Sequence, residues 1–139
     1  MGDYAKATLD LLKLQEPAGS YTTSLIDASR AGIARSQFMA FAQRVKQSMR
    51  SLSKVMPASY SSLSKKDMYD QDTSERILEI AEIYAMGMEV FGDIDRFNSW
   101  LQHVSAPLGG HTPFSLLDTS FGIRMLKDEI GRIDHGIFV

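Results

Sequence analysis

The 139 residues contain no cysteine, so neither a disulfide framework nor a thiolate zinc site is available to hold the fold. No apolar run approaches the roughly 18 residues that cross a membrane as a helix. The start, Met1-Gly2-Asp3-Tyr4-Ala5-Lys6, lacks the basic and apolar regions of a secretion signal and the Ser or Thr at position 6 of a myristoylation motif. A cytoplasmic location without membrane contact is the expectation. There is no Gly-rich phosphate loop and no nucleophile elbow. The sharpest absence is one of charge: between Asp27 and Asp67 there is no acidic residue at all.

What is present describes an ordinary globule, with 44% hydrophobic and 23% charged residues. At this length a folded chain buries about two-thirds of its unfolded surface, enough for a core without staples. The acid-free stretch carries Arg30, Arg35, Arg44, Lys46, Arg50, Lys54, Lys65 and Lys66. Residues 1–70 hold ten Lys/Arg against six Asp/Glu, a balance of +4; residues 71–139 hold five against eleven, a balance of −6. Such asymmetry points to a basic half that meets nucleic acid, or to a solvated basic face matched by the acidic half of the same molecule.

Nearly every segment has helical spacing, and none alternates with period two for long enough to make a sheet. Residues 7–15 place Leu9 and Leu12 on one face, before Pro17-Ala18-Gly19 breaks the run. Thr22 or Thr23 is placed to cap a helix ending at Gly32. Phe38, Phe41, Ala42 and Val45 give the apolar face of a helix at 34–46. Ser48 caps a helix over 48–56, and Pro57 opens a serine-rich one over 57–66. Asp72-Thr73-Ser74-Glu75 has the form of a capping box, launching a long helix that runs to Phe91. Its glutamates, Glu75, Glu79, Glu82 and Glu89, make one polar stripe on an otherwise apolar cylinder, the pattern of a central helix. Gly92 ends it and Asp93 caps the next, which carries Phe97, Trp100 and Leu101. Thr112-Pro113 opens a short helix, and Thr119 or Ser120 starts a last one with Ile123, Leu126, Ile130 and Ile133 on one side. The sign of the charge changes near residues 66–72, where two packed sub-domains are expected to meet.

Catalytic and metal chemistry finds little to use. The histidines are His103, His111 and His135. The first two flank Gly109-Gly110, with Asp93 or Asp95 as a third ligand, a spacing that matches no metal-binding pattern. The pairs Asp93/Asp95 and Asp128/Glu129 read as helix-terminus or solvated charges. No enzyme, no metal and no cofactor is expected.

The two short helices at 48–56 and 57–66, joined tightly at Met56-Pro57, have the form of a helix-turn-helix. Its DNA-facing residues are Arg50, Lys54, Ser59, Tyr60, Ser62, Lys65 and Lys66, whose hydroxyls and cations suit phosphates and base edges. An irregular serine-rich loop at 57–66 is equally compatible with the periodicity. The apolar end, Ile137-Phe138-Val139, either folds back on its own core or inserts into a partner.

One ordered set of residues resembles a known family. Ala85-Met86-Gly87-Met88-Glu89-Val90-Phe91-Gly92-Asp93, Phe97-Asn98-Ser99-Trp100-Leu101, Leu108-Gly109-Gly110-His111-Thr112-Pro113-Phe114-Ser115-Leu116-Leu117, Thr119, Gly122 and Ile130-Gly131-Arg132-Ile133-Asp134-His135-Gly136 resemble, in that order, the toxin-binding domain of Xre/MbcA/ParS antitoxins. The likeness covers about residues 75–137. Upstream, Ser74-Glu75-Arg76 fits the serine-acid-arginine opening of the long helix, whereas 57–66 departs from the threonine-rich recognition helix usual there.

The resemblance implies an all-α bacterial type II antitoxin, with an N-terminal arm or short helix (1–21), an Xre-like helix-turn-helix bundle (22–70) and a toxin-binding domain (71–139) packed on it. It implies a homodimer, operator DNA, and a neighbouring RES-domain toxin that consumes NAD, held in a larger complex. It places toxin contacts on Arg124, Arg132, His135, Gly136, Ile137, Phe138 and Val139: Gly136 turns the backbone and the three apolar residues enter a concave pocket. Arg124 and Arg132 pair with acids on the toxin, or with Asp128 and Asp134 at helical spacing. Trp100, Leu101, Gly109, Gly110, Thr112 and Pro113 are expected to hold the fold rather than touch the partner. Two alternatives stand beside it: a helix-turn-helix regulator without a toxin, and a module that neutralises the toxin but, with its serine-rich 57–66, has lost DNA recognition.

Overall fold

The computed structural model describes residues 4–14 and 21–136. The fold is all-α. Its helices are α1 (Ala5–Leu11), α2 (Tyr21–Ala31), α3 (Arg35–Arg44), α4 (Met49–Ser53), α5 (Tyr60–Lys65), α6 (Gln71–Phe91), α7 (Ile94–Leu101) and α8 (Ser120–Asp134), with 3₁₀ segments at Ala106–Leu108 and Pro113–Asp118. Among the described residues no strand forms; Ala34 with Met68, and Ser105 with His111, pair as isolated bridges. Among the described residues no helix is long and apolar enough to cross a membrane. The expected break at Pro17-Ala18-Gly19 lies outside the described residues.

α6 is the central element. It packs against α1, α2, α7 and α8. Ile77, Ile80, Ala81, Ile83 and Tyr84 along it have no exposed surface, so the helix exchanges apolar area for contacts nearly all round. The same core takes in Leu12, Ile33, Phe38 and Phe41 from the basic half and Phe97, Leu117, Leu126 and Ile130 from the acidic half. It runs unbroken across the point where the charge changes sign.

Helix ends follow local capping chemistry, with corrections where a distant contact decides. α2 already begins at Tyr21, ahead of both threonines expected to cap it. α6 begins at Gln71, and its N-cap is Asp70, not Asp72. The cause lies one residue earlier: buried Tyr69 donates its N–H to Ile33 O at 2.9 Å and its hydroxyl to Leu63 O at 2.7 Å. With Tyr69 fixed, the extended residue that follows is Asp70, whose carboxylate accepts the Thr73 N–H at 2.9 Å. Hydrogen bonds from Thr73 hold that carboxyl below the usual range. Gly92 (φ +89) closes α6, Asp93 accepts from Arg96 N–H to open α7, Thr112 accepts from Ser115 N–H ahead of Pro113, and Thr119 accepts from Gly122 N–H to start α8. The segment after Thr112 is 3₁₀ rather than α.

α7 is tied back to the basic half by a polar junction. Asn98 donates to Val45 O at 2.8 Å and accepts from Gln47 Nε2 at 3.0 Å and Tyr84 Oη at 2.9 Å. Burial pushes the Tyr84 phenol far above its ordinary range, so it stays neutral and donates. Lys46, in the left-handed region (φ +57), turns the chain after α3 and reaches Asp95 at 3.1 Å.

Candidate functional site

Two surfaces bear on the expected sites, one at α4–α5 and one on α8.

α4 and α5 are shorter than expected. They span Met49–Ser53 and Tyr60–Lys65 instead of 48–56 and 57–66, and Pro57 lies outside both. Each is opened by its own serine: Ser48 accepts from Ser51 N–H, and Ser59 accepts from Ser62 N–H at 3.1 Å. Ser59 supplies the cap that Pro57 does not, so the second helix starts at Tyr60. Leu52, Val55 and Leu63 are buried beneath the pair, which makes 57–66 a packed connection and helix rather than an irregular loop.

The residues expected to face DNA separate into distinct environments. The Arg50 guanidinium lies over the Tyr60 ring, 4.1 Å from its centroid. Lys54 closes α4 and Lys66 closes α5, both exposed; Lys65 is exposed in the last turn of α5. Ser59 is engaged as the cap and Ser62 is half-buried. Other cations of the acid-free stretch have internal partners: Arg35 pairs with Asp67 at 3.1 Å and donates to Ser64 O, Arg44 donates to Asp10 O, and Lys46 pairs with Asp95. Among the described residues, Lys54 and Lys65 have no acidic partner.

On α8, Ile123, Leu126 and Ile130 face the core while Phe121 is 79% exposed and Met125 41%. Four residues apart, these two form an apolar stripe on the outer face. The Arg124 guanidinium sits 5.5 Å from the Phe121 ring centroid. An open groove of about 520 Å³ separates this face from Ala106–Leu108 and is lined by Pro107, Met125, Asp128, Arg132 and His135. Motif reasoning misses Phe121 and Met125; the one available signal is that they fall off the Ile123–Leu126–Ile130 stripe.

Arg132 corrects two readings at once. Its intramolecular partner is Glu129, not Asp128 or Asp134, and Glu129 is buried rather than solvated. Arg124 likewise lies against an aromatic ring rather than an acid. His135 caps α8 and Gly136 (φ +72) turns the chain after it; Ile137, Phe138 and Val139 lie outside the described residues. Leu101 is buried and Trp100 half-buried, the latter stacked on Phe97 at 5.8 Å. Pro113 is buried and Thr112 caps it, while Gly109 (φ +71) and Gly110 (φ +79) make an exposed left-handed turn.

The histidines do not converge. His103 Nδ1 lies 2.6 Å from Ser99 O, Asp93 is a cap and Asp95 meets Lys46. Among the described residues no three His, Asp or Glu side chains gather to hold a metal.

Arg76 joins the α4–α5 connection to the segment before α8. Its Nη1 donates to Val55 O at 3.1 Å, in the α4–α5 connection, and to Asp118 O, just before α8. Its Nε meets Glu79 Oε1 at 3.2 Å, and Glu79 Oε2 accepts from Ser120 Oγ at 2.8 Å. Glu82 pairs with Lys127 one turn further along. Two of the four glutamates of the polar stripe therefore clamp α8 to α6.

An all-α scaffold with a basic helix pair at one place and an exposed apolar stripe at another has the layout of an interaction protein. Residues 86–136 match the family described as the antitoxin Xre/MbcA/ParS C-terminal toxin-binding domain. The chain is similar to the antitoxin Xre of Photorhabdus laumondii, 36% identical over 75 residues, which cover 53% of this chain and 51% of that protein. It is also similar to the antitoxin Xre of Yersinia enterocolitica, 32% identical over 71 residues, 50% of this chain and 48% of that protein. The chain spans about half the length of the curated relatives it matches.

Proposed function

We propose that the protein is a non-enzymatic antitoxin of a type II toxin-antitoxin system. Its C-terminal half, 71–139, binds and occludes a neighbouring RES-domain toxin that consumes NAD. Residues 22–70 bind operator DNA and repress the shared promoter, and the chain acts as a homodimer in the cytoplasm. The observation that carries the reading is the toxin-binding family match over residues 86–136, within which α8 exposes Phe121 and Met125. Large exposed side chains of this kind mark interaction surfaces. The RES-domain partner rests on the resemblance of the motif set, and DNA binding on the basic α4–α5 pair. That pair also favours the second reading, a regulator without a toxin.

One experiment with two arms tests the division of labour. Deleting residues 137–139 weakens toxin neutralisation about tenfold or more, the effect of losing a buried anchor, without lowering the thermal midpoint. Lys65→Glu weakens binding to the DNA upstream of the gene, most strongly at low salt, and leaves neutralisation unchanged. Full potency after the deletion contradicts insertion of the tip, and loss of neutralisation in Lys65→Glu contradicts the separation of the halves.

A further inference from the structure

The hydroxyl groups of α5 are not equivalent. Ser59 Oγ accepts the Ser62 N–H, and Ser64 Oγ donates to Tyr60 O at 2.8 Å. Leu63 is buried and Ser62 half-buried. Of the exposed residues of α5, Ser64 is engaged with Tyr60 O, which leaves Tyr60, Ser61 and Lys65. Among the described residues, Tyr60 alone of these is held by a neighbour: the Arg50 guanidinium covers one face of its ring at 4.1 Å from the centroid. An exposed tyrosine of this kind loses little conformational entropy on binding, because its ring is already placed. Its hydroxyl, for which no hydrogen-bond partner is found among the described residues, is free to donate or accept.

We infer that Tyr60 is the side chain through which this protein reads operator sequence, and that Arg50 is its positioning residue. The inference rests on the operator-binding reading above and extends it by separating the residue that discriminates bases from those that supply charge. A tyrosine edge offers a hydroxyl for the donor and acceptor atoms of the major groove and an apolar rim for a thymine methyl. Arg50 stacks through its planar face, which leaves N–H groups at its edge for a flanking phosphate. A lysine at that position keeps the charge and loses the plane. Lys65, which has no acidic partner among the described residues, supplies sequence-independent phosphate attraction.

The test measures binding of the full chain to two duplexes of equal length, the DNA upstream of its gene and a scrambled sequence, over a range of salt. Tyr60→Phe keeps the ring and its stacking, so the fold is preserved. It lowers the preference for the upstream duplex about fivefold to tenfold, with binding to the scrambled duplex and the salt slope unchanged. Arg50→Lys lowers the same preference, and combining it with Tyr60→Phe adds less than the two separate losses. Lys65→Ala weakens both duplexes alike and reduces the salt slope by about one. If Tyr60→Phe retains the full preference, or weakens both duplexes equally, the inference is overturned while operator binding stands. A wild-type chain that binds both duplexes without preference also overturns it. A wild-type chain that binds neither overturns the operator reading and the inference together.

Discussion

Gly87→Ala lowers the stability of the protein by about 2–3 kcal/mol, read as a drop in the urea midpoint at constant m. Gly87 lies where α6 passes against α7, and a Cβ there falls inside the van der Waals envelope of the Phe97 ring. Phe97 has nowhere to go. It is fully buried and flanked by Tyr84 at 5.3 Å, Phe91 at 5.4 Å and Trp100 at 5.8 Å between ring centroids. The helices must separate or the ring must leave its rotamer, and either costs more than the roughly 1 kcal/mol that alanine gains over glycine in helix propensity. In a Phe97→Leu background the added methyl meets a smaller side chain, so the further loss shrinks by about 1 kcal/mol or more. An unchanged midpoint for Gly87→Ala contradicts the close approach of α6 and α7.

Arg76→Met has a comparable effect by an electrostatic route, about 3 kcal/mol. The Arg76 side chain is 14% exposed and Glu79 24%. Removing the guanidinium leaves Glu79 without its cation in a half-buried site and strips a donor from two backbone carbonyls, Val55 O and Asp118 O. Breaking one partner of such a pair costs more than the pair contributes, because the remaining charge stays desolvated. A lysine at this position restores the charge but not the fork, so Arg76→Lys recovers less than half of the loss. Hydrogen exchange locates the damage: protection falls in the α4–α5 connection and at the start of α8, the two regions that Arg76 joins. A loss below about 0.5 kcal/mol contradicts this bridge.

Local chemistry is legible in the sequence, and long-range chemistry is not. Thr112-Pro113, Thr119, Gly92 and Asp93 open or close their elements as expected, because a cap needs only residues two or three positions away. The helical spacing of Phe38, Phe41, Ala42 and Val45 corresponds to a buried face, since period and burial are one physical fact. The misplaced ends have different causes, one distant and one local. Asp72 looks like the cap of α6, but the choice of Asp70 is made by Tyr69, which is pinned to Ile33 and Leu63. Pro57 looks like a helix start, but Ser59 caps the helix and the chain over 54–59 is occupied in reaching it.

The polar junctions are out of reach for the first of these reasons. Asn98 is an ordinary residue on an amphipathic helix until Val45, Gln47 and Tyr84 surround it. Glu129 reads as a surface charge beside Asp128, yet the rotation of α8 buries one and exposes the other. In the candidate site, the residue types suggest a set of hydroxyls and cations without saying which are already engaged. The cap at Ser59 and the Arg50–Tyr60 stack divide that set, and both depend on where α5 begins.

Co-expression with the neighbouring open reading frame, followed by purification and an NAD-consumption assay, decides whether this protein neutralises an NAD-consuming toxin. The expected result is a stable complex in which NAD turnover by the partner is suppressed, and restored when this protein is removed. Separate elution of the two proteins with undiminished NAD turnover contradicts it.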